Sequence, residues 1–263
     1  MSQKIHKTAI IEEGAKIGNN VEIGAFSVIG SKVEIGDNTV VKSHVVIEGI
    51  TKIGKNNVIF PFAVIGQTPQ DLKFSGENSS IVIGDNNRIR EHVTIHPGTK
   101  TGAMITKVGS NCLLMVGVHI AHDCVVGNHV ILANSATLAG HVEIGDHAVI
   151  GGLSAMHQFV KVGKHAMVGG MSGVETDVIP YGTVMGERAF LAGLNLVGLK
   201  RSGLEKDKIN SLRAFYKKLF EENSGNLAQR VKILNNQYEG EELVLDIIKF
   251  ITESSRGICK PKN

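Results

Sequence analysis

A clock of six residues runs through this chain. Every sixth position from Ile5 is Ile or Val: Ile5, Ile11, Ile17, Ile23, Ile29, Ile35, Val41, Ile47, Ile53, Ile59 and Ile65. The count resumes at Ile83, Ile89 and Ile95. It then runs from Val108 through Leu114, Ile120, Val126, Leu132, Leu138, Ile144, Ile150, Met156, Val162 and Val168 to Val174. Four residues after each large aliphatic sits a smaller one, such as Ala15, Ser27, Thr39, Cys112, Cys124, Ala136 and Ser154. Gly often follows the large one directly, as at Gly18, Gly36, Gly84, Gly127 and Gly145. A period of six fits neither an amphipathic helix nor an alternating strand. It is the repeat of a parallel β-helix, in which each hexapeptide forms one flat side of a coil.

Three sides make a coil of 18 residues, and coils stack about 4.8 Å apart. The large aliphatic and the small residue then fill a narrow prism, and Cys112 and Cys124 are expected as small core residues. The phase of the three runs places hexapeptides beginning at 65, 95, 120, 138 and 156 on one side of successive coils. Two interruptions, near 67–82 and 97–107, then leave the prism from that side. Loops on a rigid scaffold tend to carry function.

The clock stops near residue 180. Beyond it apolar residues recur at helical spacing over 207–220, 226–234 and 241–251, with Ile209, Leu212, Phe215 and Leu219 on one face. The expected architecture is an all-β solenoid plus α. Residues 1–186 form the prism, and 187–263 form a small helical domain over its open end, where backbone groups would otherwise be unpaired.

Composition narrows the function classes. The 263 residues carry a net charge of +3, too little to argue for nucleic acid, and no arginine-rich arm supports that reading. The start, MSQKIHKTAIIEEG, lacks the apolar run of a signal peptide, and no stretch reaches the roughly 20 apolar residues of a membrane span. Three cysteines without metal-ligand spacing suit a reduced, cytoplasmic protein.

Seven of the eleven histidines lie between Gly117 and Gly170. His129, His147 and His165 are 18 apart and share a corner with Asn20, Asn38, Asn56, Asn86 and Asn111. Asn, Asp and His are enriched at left-handed turn conformations, so this column reads as turn chemistry rather than a metal site. His122, His141 and His157 sit on the loop side, and His119 lies just before the corner that opens it. None occupies an inward position. Beside the first loop, with Gln70, Asp71 and Lys73, they are candidates for proton transfer near neutral pH.

The motifs "HIAHDCVVGNHV", "LAGHVEIGD", "GGLSAMHQFV", "PQDLK" and "GLNLVGLKRSG" together resemble the UDP-N-acetylglucosamine O-acyltransferases of lipid A biosynthesis, over nearly the whole chain. The resemblance implies a left-handed coil and a homotrimer with active sites between subunits. It implies transfer of a 3-hydroxyacyl chain from acyl carrier protein to the 3-hydroxyl of UDP-GlcNAc, with the acyl thioester as co-substrate and no cofactor or metal. His122 matches the general base and Gly140 the oxyanion donor. Asp71, Lys73, His119, Gln158, Asn195 and Arg201 match the sugar-nucleotide and phosphate region, and His141 and His157 the supporting histidines. Gly170 matches the position that limits acyl length, which implies room for a chain of the 3-hydroxytetradecanoyl type. Arg188 stands where some relatives carry a histidine at the end of the acyl groove. Ser202 and Val197 also depart from the common pattern near the nucleotide.

Lys200, Arg201 and Arg213 are candidate contacts for an acidic carrier protein. Three alternatives stay open on the residues: N-acylation of a 3-amino sugar, a zinc carbonic-anhydrase-like prism and a non-catalytic scaffold; a later N-acyltransferase of the same pathway is disfavoured. The later N-acyltransferase carries an extra N-terminal domain, and a clock that starts at Ile5 leaves no room for one.

Overall fold

The computed structural model describes residues 4–220 and 225–262. Its strands fall into three parallel sheets, one per side of a triangular prism. On one side Ile5 pairs with Ile23, Ile23 with Val41, and Val41 with Ile59. The stack then steps to Ile89, Leu114, Leu132, Ile150 and Val168. The large aliphatics are buried from Ile23 onward, as the clock requires, while Ile5 at the first coil stays exposed.

The small inward positions do more than fill space. Ser27 and Thr39 donate their hydroxyls to carbonyls of the next coil, Lys42 O at 2.8 Å and Gly54 O at 3.0 Å. Asn57 and Asn87 are fully buried. Asn57 Oδ1 accepts from Asn87 N–H at 2.9 Å, and Asn87 Oδ1 accepts from Cys112 N–H at 2.8 Å. Each buried amide is thereby satisfied, which keeps a polar group in the core from costing stability. Cys112 and Cys124 lie in the core, and burial pushes the Cys124 thiol up to about 12.

Most corners are turned by a residue with positive φ, and among the described residues twenty residues other than glycine adopt the left-handed conformation. The Asn and His column expected for turn chemistry has φ between 54° and 60°. Phe26, Phe62, Leu153, Phe159 and Met171 also adopt it, although bulky residues rarely do. Backbone bonds between coils hold them there: Phe62 N–H reaches His44 O at 3.1 Å, and Leu153 N–H reaches Asn134 O at 2.9 Å.

Both loops leave the end of the same sheet, after Val64–Ile65 and after Thr94–Ile95. They are shorter than the clock suggested. The strands Ser80–Ile83 and Ile105–Val108 start earlier, because Ile81 and Thr106 are buried and add one more inward residue to each.

The first sheet continues past residue 186. Gly182–Met185 and Phe190–Leu194 form an antiparallel hairpin on its end. Four helices follow: α1 (Leu196–Arg201), α2 (Lys206–Phe220), α3 (Leu227–Gln237) and α4 (Glu242–Glu253). Helical periodicity located the last three but missed α1, whose six residues are too few to show a period. Asn226 and Gln229 form a reciprocal capping box that starts α3, satisfying two amide donors that the helix cannot. The helical part is tied to the last coil by Tyr181 Oη donating to Asp246 at 2.5 Å and by Ser254 Oγ donating to Asp177 at 2.7 Å. Among the described residues no helix is long and apolar enough to cross a membrane.

Candidate active site

The turn that leaves Ile120 carries the site. Two residues on, His122 is only 7% exposed, and Asp123 turns the corner with φ of 59°. His122 Nδ1 lies 2.9 Å from Asp123 Oδ2. A carboxylate accepts, so Nδ1 carries the proton and Nε2 presents a lone pair. The Asp123 backbone is fixed in turn by its N–H on Thr106 Oγ1 at 2.8 Å.

One coil along, the same two positions hold Gly140 and His141, and one further coil holds Gln158 and Phe159. A Cβ on Gly140 would stand 2.4 Å from Cε1 of His122, so glycine is required for the imidazole to lie where it does. Gly140 is buried, and its N–H finds no acceptor in the chain among the described residues. A buried, unpaired amide beside a base is the chemistry of an oxyanion donor. The His141 ring meets His122 edge-on at 5.0 Å and stacks on Phe159 at 4.3 Å. Burial lowers the His141 pKa, with the His122 charge adding to the effect against Asp123 and Asp71.

These groups face a cavity of about 450 Å³ lined by Gln70, Asp71, Leu72, Lys73, Thr101, His122, His141, Gln158 and Phe159. The two loops that form its wall are clasped together, with Lys100 N–H on Glu77 Oε1 at 2.9 Å. That bond, with further backbone donors, lowers the Glu77 carboxyl to about 2.

The remaining candidates fall outside this cavity. His119 stands three residues before His122 on the same coil, bonded to Thr94 Oγ1 of the preceding coil at 2.7 Å and edge-on to the buried His96 at 5.1 Å. Burial lowers the pKa of both rings, that of His96 to about 4. His157 is exposed, with Nδ1 3.2 Å from Arg256 Nη2. Gly170 lies exposed on the third edge, stacked over Gly152 and beside the left-handed Met171, and Arg188 pairs with Glu175. Asn195 and Arg201 belong to another edge altogether: Asn195 caps α1 and donates to His165 O at 2.9 Å.

That edge holds the histidine column. His129, His147 and His165 stack with centroids 4.6 Å apart and planes within 5° of parallel. A metal sits near the plane of each imidazole that binds it, so parallel stacked rings cannot converge on one ion. Among the described residues, the trio of metal-capable groups that does converge, within 4.8 Å, is His122, Asp123 and His141. His141 also corrects the division made from sequence, since its φ of 64° gives it the same turn conformation as the column.

Sequence reasoning missed Asp123, Thr99, Thr101, His96 and Phe159. Asp123 was within reach of the clock, standing three residues after Ile120 as His141 stands after Leu138. An aspartate at a corner is a residue that turn conformations favour, so nothing in the sequence marks its carboxylate as part of a site.

A profile described as UDP N-acetylglucosamine O-acyltransferase, domain 2, matches residues 177–259. The bacterial transferase hexapeptide profile matches 14–49 and 105–140. An acyl-[acyl-carrier-protein]–UDP-N-acetylglucosamine O-acyltransferase from Rickettsia peacockii is 52% identical over 98% of both chains. The UDP-N-acetylglucosamine acyltransferase structure from Campylobacter jejuni is 43% identical, covering 98% of this chain and 100% of its own, with a TM-score of 0.93. That from Francisella novicida is 40% identical, covering 98% and 95%, with a TM-score of 0.95. The prism is the left-handed β-helix of these enzymes, against the usual right-handed rule for parallel crossovers. The chain belongs to the UDP-N-acetylglucosamine O-acyltransferase family.

Proposed function

We propose that this protein transfers a 3-hydroxyacyl chain from acyl carrier protein to the 3-hydroxyl of UDP-GlcNAc, the first step of lipid A biosynthesis. The observation that carries the reading is the His122–Asp123 pair opening on the cavity beside the unpaired Gly140 N–H. His122 Nε2 takes the proton from the sugar hydroxyl as its oxygen attacks the thioester carbonyl. Asp123 holds the tautomer that makes this possible and balances the imidazolium. Gly140 N–H receives the developing oxyanion. When the tetrahedral intermediate collapses, the C–S bond breaks and the imidazolium returns its proton to the leaving thiolate. A positioned imidazole is worth roughly 10²–10⁴-fold in such a step.

Asp71 and Gln158 face the cavity where a sugar would hydrogen-bond, and Lys73 supplies a cation for the diphosphate. Asn195 and Arg201 sit on a different edge, so they can join this cleft only from a neighbouring subunit. A homotrimer with shared sites accommodates them. The outward faces of Leu113, Ile131, Val149 and Met167 form a half-buried apolar strip, the surface a subunit contact would cover. His119, just before His122 in the chain, and His157, just before Gln158, flank the cleft. Gly170 and the Arg188–Glu175 pair mark the acyl end, with a long chain of the 3-hydroxytetradecanoyl type as the favoured donor. Lys200, Arg201 and Arg213 are exposed and would meet the acidic carrier protein in the cytoplasm.

The test is a mass-spectrometric assay with UDP-GlcNAc and its 3-amino analogue, each offered with C10 to C16 3-hydroxyacyl carrier proteins. The O-acyl product with one dominant chain length is expected. Exclusive amide formation would move the assignment to the amino sugar. Turnover of bicarbonate with stoichiometric zinc at His122, Asp123 and His141 would replace acyl transfer altogether.

A further inference from the structure

The Asp123 carboxylate is held by more than His122. Its Oδ2 also accepts the Thr99 N–H at 3.0 Å and the Thr99 hydroxyl at 2.8 Å. The loop is moulded over this group: a Cβ on Gly102 would lie 2.4 Å from Oδ1, and one on Gly98 would lie 2.8 Å from it. Thr99 Oγ1 in turn stands 3.1 Å from Thr101 Oγ1, and Thr101 lines the cavity.

The direction of each bond follows from proton counting. A carboxylate accepting from His122 has no proton to give, and a hydroxyl has only one. Thr99 therefore donates to Asp123. Having no second proton, it accepts from Thr101. The Thr101 proton points inward along this chain, and only lone pairs remain to face the cavity.

We propose that Thr101 is a substrate-binding residue that accepts a hydrogen bond from an O–H or N–H group of the acceptor sugar nucleotide, and that Thr99 is the positioning residue fixing both Thr101 and the His122–Asp123 pair. This rests on the acyl-transfer reading and deepens it. The relay gives the cleft a polarity: a donor group at that point is welcomed, and an acceptor-only group meets lone pairs.

The test is steady-state kinetics on Thr99→Val, Thr99→Ser, Thr101→Val and the Thr99→Val/Thr101→Val double variant, with thermal melting on each. Thr101→Val should raise KM for UDP-GlcNAc about tenfold with kcat nearly kept, since one substrate hydrogen bond is lost. Thr99→Val should lower kcat roughly ten- to a hundredfold, as loss of a charge-assisted bond to the base's partner requires. Thr99→Ser should restore it. The double variant should show almost no further rise in KM over Thr99→Val, because Thr101 has already lost its fixed direction.

An unchanged KM in Thr101→Val overturns the substrate contact. A wild-type kcat in Thr99→Val, or no recovery in Thr99→Ser, overturns the positioning role. If Thr99→Val melts early, Thr99→Ala is read on the same criteria. Failure of the wild-type protein to transfer any acyl chain sinks the underlying reading before the variants are compared.

Discussion

The column edge and the cleft edge of the prism both carry histidines in the same left-handed turn conformation, yet the column rings stack on one another while His122 and His141 line a cavity. On the column edge the residue just before each histidine is spent on structure. Asn128 Oδ1 accepts from Ser110 N–H at 2.9 Å, and Asp146 Oδ1 accepts from Asn128 N–H at 2.7 Å. On the cleft edge the equivalent residues are His122, Gly140 and Gln158, and there the loops add a wall. The imidazole at the corner is set by turn chemistry on both edges. What separates them is whether the preceding side chain is consumed by the backbone or left for a ligand.

The largest effect should come from the edges' most direct contrast. His122→Ala should cut kcat about 10²–10⁴-fold with little change in melting temperature, whereas His147→Ala should leave turnover within about twofold. Equal losses in both variants would dissolve the distinction. Gly140→Ala comes next. Its methyl would meet the His122 ring at 2.4 Å, so turnover should fall sharply and stability should drop about 1–3 kcal/mol. Chemical denaturation alongside the acyl-transfer assay separates the two effects.

Asp123→Asn keeps the shape but loses the charge and frees the tautomer. A fall in kcat of roughly ten- to a hundredfold is expected, measured with KM to show that binding is spared. The smallest effect is in stability. Burial lowers the pKa of His96, to about 4, and of His165, where the His147 and Lys164 charges add to it. Below the ordinary imidazole value of 6.5 the unfolded chain binds protons that these folded rings refuse. Stability should therefore be full above pH 6.5 and fall as pH drops toward 4, as melting curves across that range would show. His96→Asn should flatten the fall on the cleft edge more than His165→Asn does on the half-exposed column.

Most of the fold was legible because a hexapeptide clock leaves the inward residues little choice. Ile120, Leu138 and Met156 fixed the loop side, and with it the placement of His122, His141 and the Asp71 loop. The limits are physical too. Asp123 is a residue that turns favour on its own account, so its carboxylate announces a corner as readily as chemistry, whereas His141 announces chemistry and also holds a corner. Thr99 and Thr101 lie in a loop with no period, and their roles arise only when the loop folds over Asp123. Asn195 and Arg201 were grouped with His122 by resemblance, and no periodicity could have placed them on another edge.

The two loops leave and rejoin the prism without disturbing it: Ile65 pairs with Ile95, and Ile95 with Ile120, in unbroken register. Length added at such a corner is carried outside the stack, so the inner column of Ile and Val never has to be renegotiated. A chain of this design can alter what its cleft recognises by rewriting a few surface residues. The scaffold beneath stays under the older and stricter rule of six.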